Sequence, residues 1–178
     1  MSDFSFLNIY DIRVPRENPL VPAEENVFIH LEASDIQEAE ALLGYPFPSE
    51  LRAFYEQIGY GYLSTPHNPP PGHHQSGNEI LPPLTAARFA LGITEWEGQE
   101  SWIAEDVVED LVPGEIPFMD AADSSIFVTV RALSQNPNAV WYLGRRIEDS
   151  FETFVRNLYY DDPNYYAWKW DNSPTSSS

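Results

Sequence analysis

Residues 34–63, SDIQEAEALLGYPFPSELRAFYEQIGYGYL, decide the fold: two short helices around a proline-marked corner lead through glycines into a strand. Ser34 is a residue type that caps helix N-termini, and Asp35, Glu38 and Glu40 place negative charge toward the end where the helix dipole favours it. Ile36, Ala39, Leu42 and Leu43 recur at three- and four-residue spacing, so one face can bury. Gly44 is placed to end the helix in the left-handed conformation that side chains resist. Tyr45-Pro46-Phe47-Pro48 is too stiff for a helix interior. A second helix is expected from Pro48 or Ser49, with Leu51, Phe54, Tyr55 and Ile58 as its apolar face. Phe54, Tyr55 and Ile58 read as core, whereas Tyr60, between Gly59 and Gly61, is a ring that can stay accessible.

On the N-terminal side, Phe4, Phe6, Leu7, Ile9 and Ile12 are expected to anchor an arm over residues 1–33. Pro15, Pro19 and Pro22 extend or turn the chain after them, and Val27-Phe28-Ile29 reads as a short strand or an approach to the first helix. On the C-terminal side, four prolines and two glycines between Ser64 and Asn78 make an irregular loop. It carries His67, His73 and His74, with Glu79 just beyond. A metal would need these to converge, and nothing in a proline-glycine loop fixes such geometry, so no metal is assigned.

Glu79-Ile80-Leu81 is expected to form a short strand before a mainly helical region over 84–112, with a short amphipathic helix at 105–111. Strands are expected at 116–119, 125–130 and 139–143, the last two joined by a turn at Asn136-Pro137-Asn138. Successive strands with short connections make an antiparallel sheet the economical arrangement. Ser150 opens a closing helix whose stripe is Phe151, Phe154, Val155 and Leu158, and which stops before Asp162-Pro163. Residues 161–178 form an aromatic tail bearing Tyr165, Tyr166, Trp168 and Trp170, with a disordered ThrSerSerSer end.

The whole reads as one α+β domain, a central mainly antiparallel sheet flanked by helices, and 178 residues suffice for such a core. Cysteine is absent, which excludes disulfides, thiolate nucleophiles and cysteine-ligated metal clusters. Neither a signal segment nor a run of about eighteen apolar residues is present, so a cytoplasmic protein without a membrane span is expected.

Asp plus Glu number 28 against 9 Lys plus Arg, a formal charge of -19. That surface repels nucleic-acid phosphates and anionic lipid and attracts basic partners; it also serves solubility alone. From Phe89 to Val130 there is no basic residue, while acids stand at 95, 97, 100, 105, 106, 109, 110, 115, 120 and 123. This stretch, with Trp96, Glu97, Trp102, Glu105, Asp106, Glu109, Asp110, Asp120 and Asp123, is the candidate protein-binding face. Tyr60, Trp168 and Trp170 are its candidate aromatic anchors. Trp96 and Trp102 as core residues remain the alternative. No phosphate-binding loop, HExxH, GxSxG or cysteine nucleophile is present, so neither a catalytic residue nor a cofactor is assigned. Asp120 and Asp123 read as turn-capping carboxylates before they read as a catalytic pair.

The order of these elements resembles the SMI1/KNR4 family of the SUKH superfamily. The resemblance rests on ALLGYPFPSELRAFYEQIGYGYL at 41–63, NEILPPL at 78–84, IPFMDAADSSIFVTV at 116–130 and AVWYLGRRIEDSFETFVRNL at 139–158. It covers most of residues 34–160, the span taken as the domain. Where the family often has a glycine-rich turn, this chain has DAADSS at 120–125. The resemblance implies a mixed α/β domain without established catalytic residues. Bacterial members are similar to immunity proteins that neutralise toxins, many of them nucleases, and fungal relatives are linked with regulation of cell-wall glucan synthesis. It therefore implies a protein partner, a basic toxin domain foremost, with a regulatory or scaffold role as the alternative; a metal-dependent enzyme comes third and would need a metal held by His67, His73, His74 or Glu79. A homo-oligomer stays open, provided its contact avoids or neutralises the acidic field.

Overall fold

A computed structural model describes residues 2–10, 12–13, 26–67, 77–93, 95–96, 99–100, 111–121 and 126–172, with 12–13, 95–96 and 99–100 described as backbone only. Eight strands form one sheet in the order β1 (Ile12–Arg13), β2 (Val27–Ile29), β3 (Tyr60–Tyr62), β4 (Glu79–Ile80), β7 (Glu115–Ala121), β8 (Ile126–Arg131), β9 (Val140–Tyr142) and β10 (Arg145–Glu148). Only β1 and β2 run parallel; every other neighbouring pair is antiparallel. A separate hairpin pairs β5 (Glu95–Trp96) with β6 (Gln99–Glu100).

The described helices, besides a 3-10 turn at Ser5–Leu7, are α1 (Ala33–Leu43), α2 (Ser49–Gln57), α3 (Pro83–Ala90), α4 (Phe151–Tyr160) and α5 (Tyr165–Asn172). The helix–corner–helix reading of 34–58 holds. Gly44 closes α1 at φ 81, ψ 6, and its N–H donates to the Glu40 carbonyl. The cap at the other end differs: α1 begins at Ala33, and the Glu32 N–H donates to Asp35 Oδ2 at 2.9 Å, so Ser34 lies inside the first turn. Asp35 is close enough to reach back over that turn, which places the cap two residues earlier.

The α2 N-terminus has proline at its cap position and therefore no side-chain acceptor of its own. Asn138, from the turn before β9, supplies one: its Oδ1 accepts from the Glu50 N–H at 3.1 Å. Glu50 in turn accepts from the Ser150 hydroxyl at 2.8 Å and the Glu152 N–H at 2.9 Å, while Ser150 caps α4 through the Thr153 N–H at 3.2 Å. Two helix starts and a turn distant in sequence thus satisfy one another's orphan donors.

The register fixes the two faces of the sheet. Following cross-strand partners, Phe28, Gly61, Ile80, Met119, Val128, Tyr142 and Arg145 lie on one face. Phe28 meets Phe54 of α2 at 6.0 Å, and Phe118 meets Phe151 of α4 at 4.9 Å, edge to face, in the aromatic centre of the core. α5 closes the same side, where Tyr166 packs on Tyr142 at 5.0 Å. The opposite face carries α3, whose Phe89 meets Phe127 at 5.3 Å, and α1 packs on α3.

Phe4 and Leu7 of the arm are fully buried, while Ile9 is 68% exposed and does not anchor it. The mainly helical region expected over 84–112 is corrected: α3 ends at Ala90, and Glu95–Trp96 pairs with Gln99–Glu100 as antiparallel strands. Leu91-Gly92 breaks the helix, with Gly92 at φ 73. β10 was missed, because Leu143-Gly144 turns the chain in two residues and the charged Arg145-Arg146 carries no strand pattern. The extension through Pro15, Pro19 and Pro22, the turn at 122–125 and the terminal ThrSerSerSer lie outside the described residues. So does the short helix expected at 105–111, apart from Leu111.

Candidate functional site

Tyr60 and Tyr62 alternate with Gly59 and Gly61 along β3, so both rings leave the sheet on the face opposite α2 and α4. The glycines are dictated by space. A Cβ on Gly59 would lie 1.9 Å from the Ile29 carbonyl oxygen, and one on Gly61 would lie 2.2 Å from that of Val27. Their φ values of 107 and 138 are also ones that side chains rarely adopt. Close approach of β2 and β3 therefore holds Tyr60 and Tyr62 in register.

The row continues across the sheet. Tyr62 pairs with Glu79 on β4, and Glu79 pairs with Asp120 on β7. The Tyr62 hydroxyl donates to Glu79 Oε2 at 3.4 Å. Burial pushes the Glu79 carboxyl above the usual carboxylate range, and the neighbouring Asp120 charge adds to the rise. The Tyr62 hydroxyl is likewise raised, first by burial and then by Glu79, and the Tyr60 hydroxyl by burial, Asp35 and Glu79. Tyr60, Tyr62, Glu79 and Asp120 are all half-buried, so the row combines aromatic surface with a concentrated negative field.

Beside Tyr60 the surface dips into a groove of about 270 Å³, lined among the described residues by His30, Leu31, Asp35, Glu38, Tyr60, Pro82, Pro83 and Leu84. The two acids come from one face of α1, three residues apart. The prolines and Leu84 come from the start of α3.

Asp120 thus stands within a strand opposite Glu79 and not in a capping turn. The reading of the 89–130 stretch as unneutralised by nearby chain is corrected at Glu115. That carboxylate is buried, accepts from the Thr129 hydroxyl and lies 3.4 Å from Arg131 Nε, its cross-strand partner just beyond the stretch. Arg131 also covers the Trp141 ring at 3.7 Å. Glu115 is therefore a structural ion pair and not a surface acid.

Among the other candidates, Trp96 stands in β5, and Glu97, Trp102, Glu105, Asp106, Glu109, Asp110 and Asp123 lie outside the described residues. Trp168 is 64% exposed on α5. Trp170 is half-buried, with the Arg145 guanidinium 4.5 Å over its ring and Arg145 Nη1 donating to its carbonyl at 3.1 Å. Arg145 belongs to the face covered by α2, α4 and α5, at the β10 end, so Trp170 and Tyr60 lie on opposite faces, five strand positions apart. Sequence reading missed Tyr62 and Glu79 as partners of Tyr60; alternation along Tyr60-Gly61-Tyr62 carried the signal for the first.

Among the described residues no group of three His, Cys, Asp or Glu side chains could hold a metal ion. His67 bonds through Nδ1 with the Tyr159 hydroxyl at 3.1 Å, while His73 and His74 lie outside the described residues. Among the described residues no helix is long and apolar enough to cross a membrane.

The SMI1 / KNR4 family (SUKH-1) profile matches residues 30–157, and the chain belongs to that family. The match takes in the groove, the Tyr60 row, strands β3 to β10 and most of α4, and begins just after β2. The chain is also 26% identical over 142 residues to Immunity protein YxxD of Bacillus subtilis (strain 168), covering 80% of this chain and 89% of that protein. No solved structure matches.

Proposed function

We propose that this member of the SMI1/KNR4 family is a cytoplasmic immunity protein that binds a basic toxin domain, such as a nuclease, stoichiometrically and without catalysis. The observation that carries the reading is the likeness to Immunity protein YxxD, which spans 80% of this chain and 89% of that protein. The half-buried row of Tyr60, Tyr62, Glu79 and Asp120 supports it, since an acidic face with rigid aromatic anchors suits a positively charged cleft. In this reading Trp96, Glu97, Trp102, Glu105, Asp106, Glu109, Asp110 and Asp123 extend the acidic face, and Trp168 and Trp170 stand apart from it.

The test is co-purification of the full chain with polypeptides encoded beside its gene, at low and high salt, followed by an assay of toxin activity. The reading expects one-to-one capture of a basic toxin domain, weakened by salt, with loss of toxicity. Capture of an endogenous non-toxic protein instead would move the assignment to regulation, and toxin activity undiminished by the chain would sink the immunity role.

A further inference from the structure

Resting on that reading, we propose that the groove between α1, β3 and α3 is a socket for one arginine side chain of the protein partner. Its walls and rim match the two halves of that side chain. Leu31, Pro82, Pro83 and Leu84 offer apolar surface for a three-carbon stem. Asp35 and Glu38, three residues apart on α1, line it as exposed carboxylates, and Tyr60 of β3 lines it with a half-exposed ring. A guanidinium is planar, stacks on an aromatic ring and reaches two carboxylates through its fork of donors, which a point-like ammonium does not.

Charge selects the same occupant. No Lys or Arg is among the groove's described lining residues, and Arg52 of α2 pairs with Glu40 and Glu56 instead. Glu38 is exposed, and Asp35 uses one oxygen to cap α1. The field of the pair already reaches Tyr60, whose hydroxyl is harder to ionise partly because of Asp35. A neutral stem alone would leave both carboxylates unmatched by any charge, and an acidic side chain would be repelled. The socket is also rigid, because Gly59 and Gly61 fix Tyr60 against β2 and the two prolines fix the start of α3, so little ordering opposes binding.

The experiment is a titration of the isotopically labelled full chain with the pentapeptide Gly-Ser-Arg-Ser-Gly, observed by amide chemical shifts. Matched peptides carrying citrulline or glutamate in place of arginine serve as controls. The expected result is saturable shifts at Glu38, Tyr60, Gly61 and Leu84 with a dissociation constant on the order of 1 mM, as one anchor supplies. Citrulline should bind at least about threefold more weakly, and Glu38→Gln should weaken the arginine peptide about threefold, the scale of one exposed charge contact. Equal response to citrulline, shifts confined to other surfaces, or no shift at millimolar peptide would overturn the socket. Neutralisation of the toxin domain is measured separately. A chain that neutralises toxin while its groove ignores arginine retires the socket alone, whereas a chain that binds arginine yet protects against no toxin retires the immunity role alone.

Discussion

Substituting Gly59 by alanine separates two costs that usually arrive together. The control is Gly44→Ala, because Gly44 also has positive φ, 81, but an added Cβ there meets nothing within 4 Å. Left-handed strain alone costs about 1–2 kcal/mol, and that is the whole expectation at Gly44. At Gly59 the same strain applies at φ 107, and the new Cβ would also lie 1.9 Å from the Ile29 oxygen and 2.8 Å from its carbonyl carbon. Backbone cannot swing aside as a side chain can, so β2 must retreat from β3 at the Ile29–Tyr60 pair. Overpacking of this kind adds about 1–3 kcal/mol, giving a total of about 2–5 kcal/mol. That is a large share of the 5–15 kcal/mol that typically stabilises a domain. In urea unfolding with a slope of about 2 kcal/mol/M, the midpoint should fall by about 1–2.5 M for Gly59→Ala and by about 0.5–1 M for Gly44→Ala. Equal midpoints for the two variants would refute the close approach of β2, and with it the reason given for the fixed position of Tyr60.

Glu79→Gln should stabilise the chain at neutral pH. Burial and Asp120 raise the carboxyl's folded pKa, so its ionisation opposes folding: stability is lost as pH rises from the unfolded value through the folded one. The gain in melting temperature should therefore be present at pH 7 and vanish below the ordinary glutamate range; a gain independent of pH would mean that the charge is not its source. Leu143→Asn should stabilise by about 0.5–1 kcal/mol, measured by urea unfolding, because Leu143 holds φ 48 in the Leu143-Gly144 hairpin turn and is largely exposed. Asparagine tolerates that conformation where leucine is strained, so a destabilised variant would contradict the turn geometry.

Local signals were legible wherever one residue type had one physical job. Gly44 as a helix stop, the apolar stripe of α2, Ser150 as a cap and the β-branched run of β8 each follow from neighbours within four residues. The misreadings arose where the partner is remote or the pattern is cut short. Asp120 resembles a turn residue until β4 is laid beside β7 and Glu79 comes to face it. Glu115 counts as one more surface acid until Arg131 and Thr129 close over it from β8. The Trp96 region looks helical by spacing, yet its backbone pairs as a two-residue hairpin too short to show alternation. The tail's rings revealed burial but not side: Tyr166 packs on Tyr142, which takes Trp170 to the face away from Tyr60.

The placement of positive charge bears on why an acidic chain should have a localised binding face. Lys and Arg total 9 against 28 acids, so each cation's position matters more than in a balanced protein. Arg131 neutralises a buried acid, Arg156 bridges Glu152 within α4 while donating to the Asp3 carbonyl of the arm, and Lys169 ties α5 to Glu148. Arg145 holds Trp170. These contacts fasten the strand β8–β10 end of the sheet, the arm and the C-terminal helix. The more exposed of these pairs contribute about 0–1 kcal/mol each, but they also withdraw the field from the surfaces they occupy. The Asp35–Glu38–Tyr60 groove has no such cation in its described lining. A diffuse net charge would steer any cation weakly to every side; on the proposed reading, carboxylates without a lining cation beside a rigid aromatic would draw a basic partner to one place and give it something to stack on.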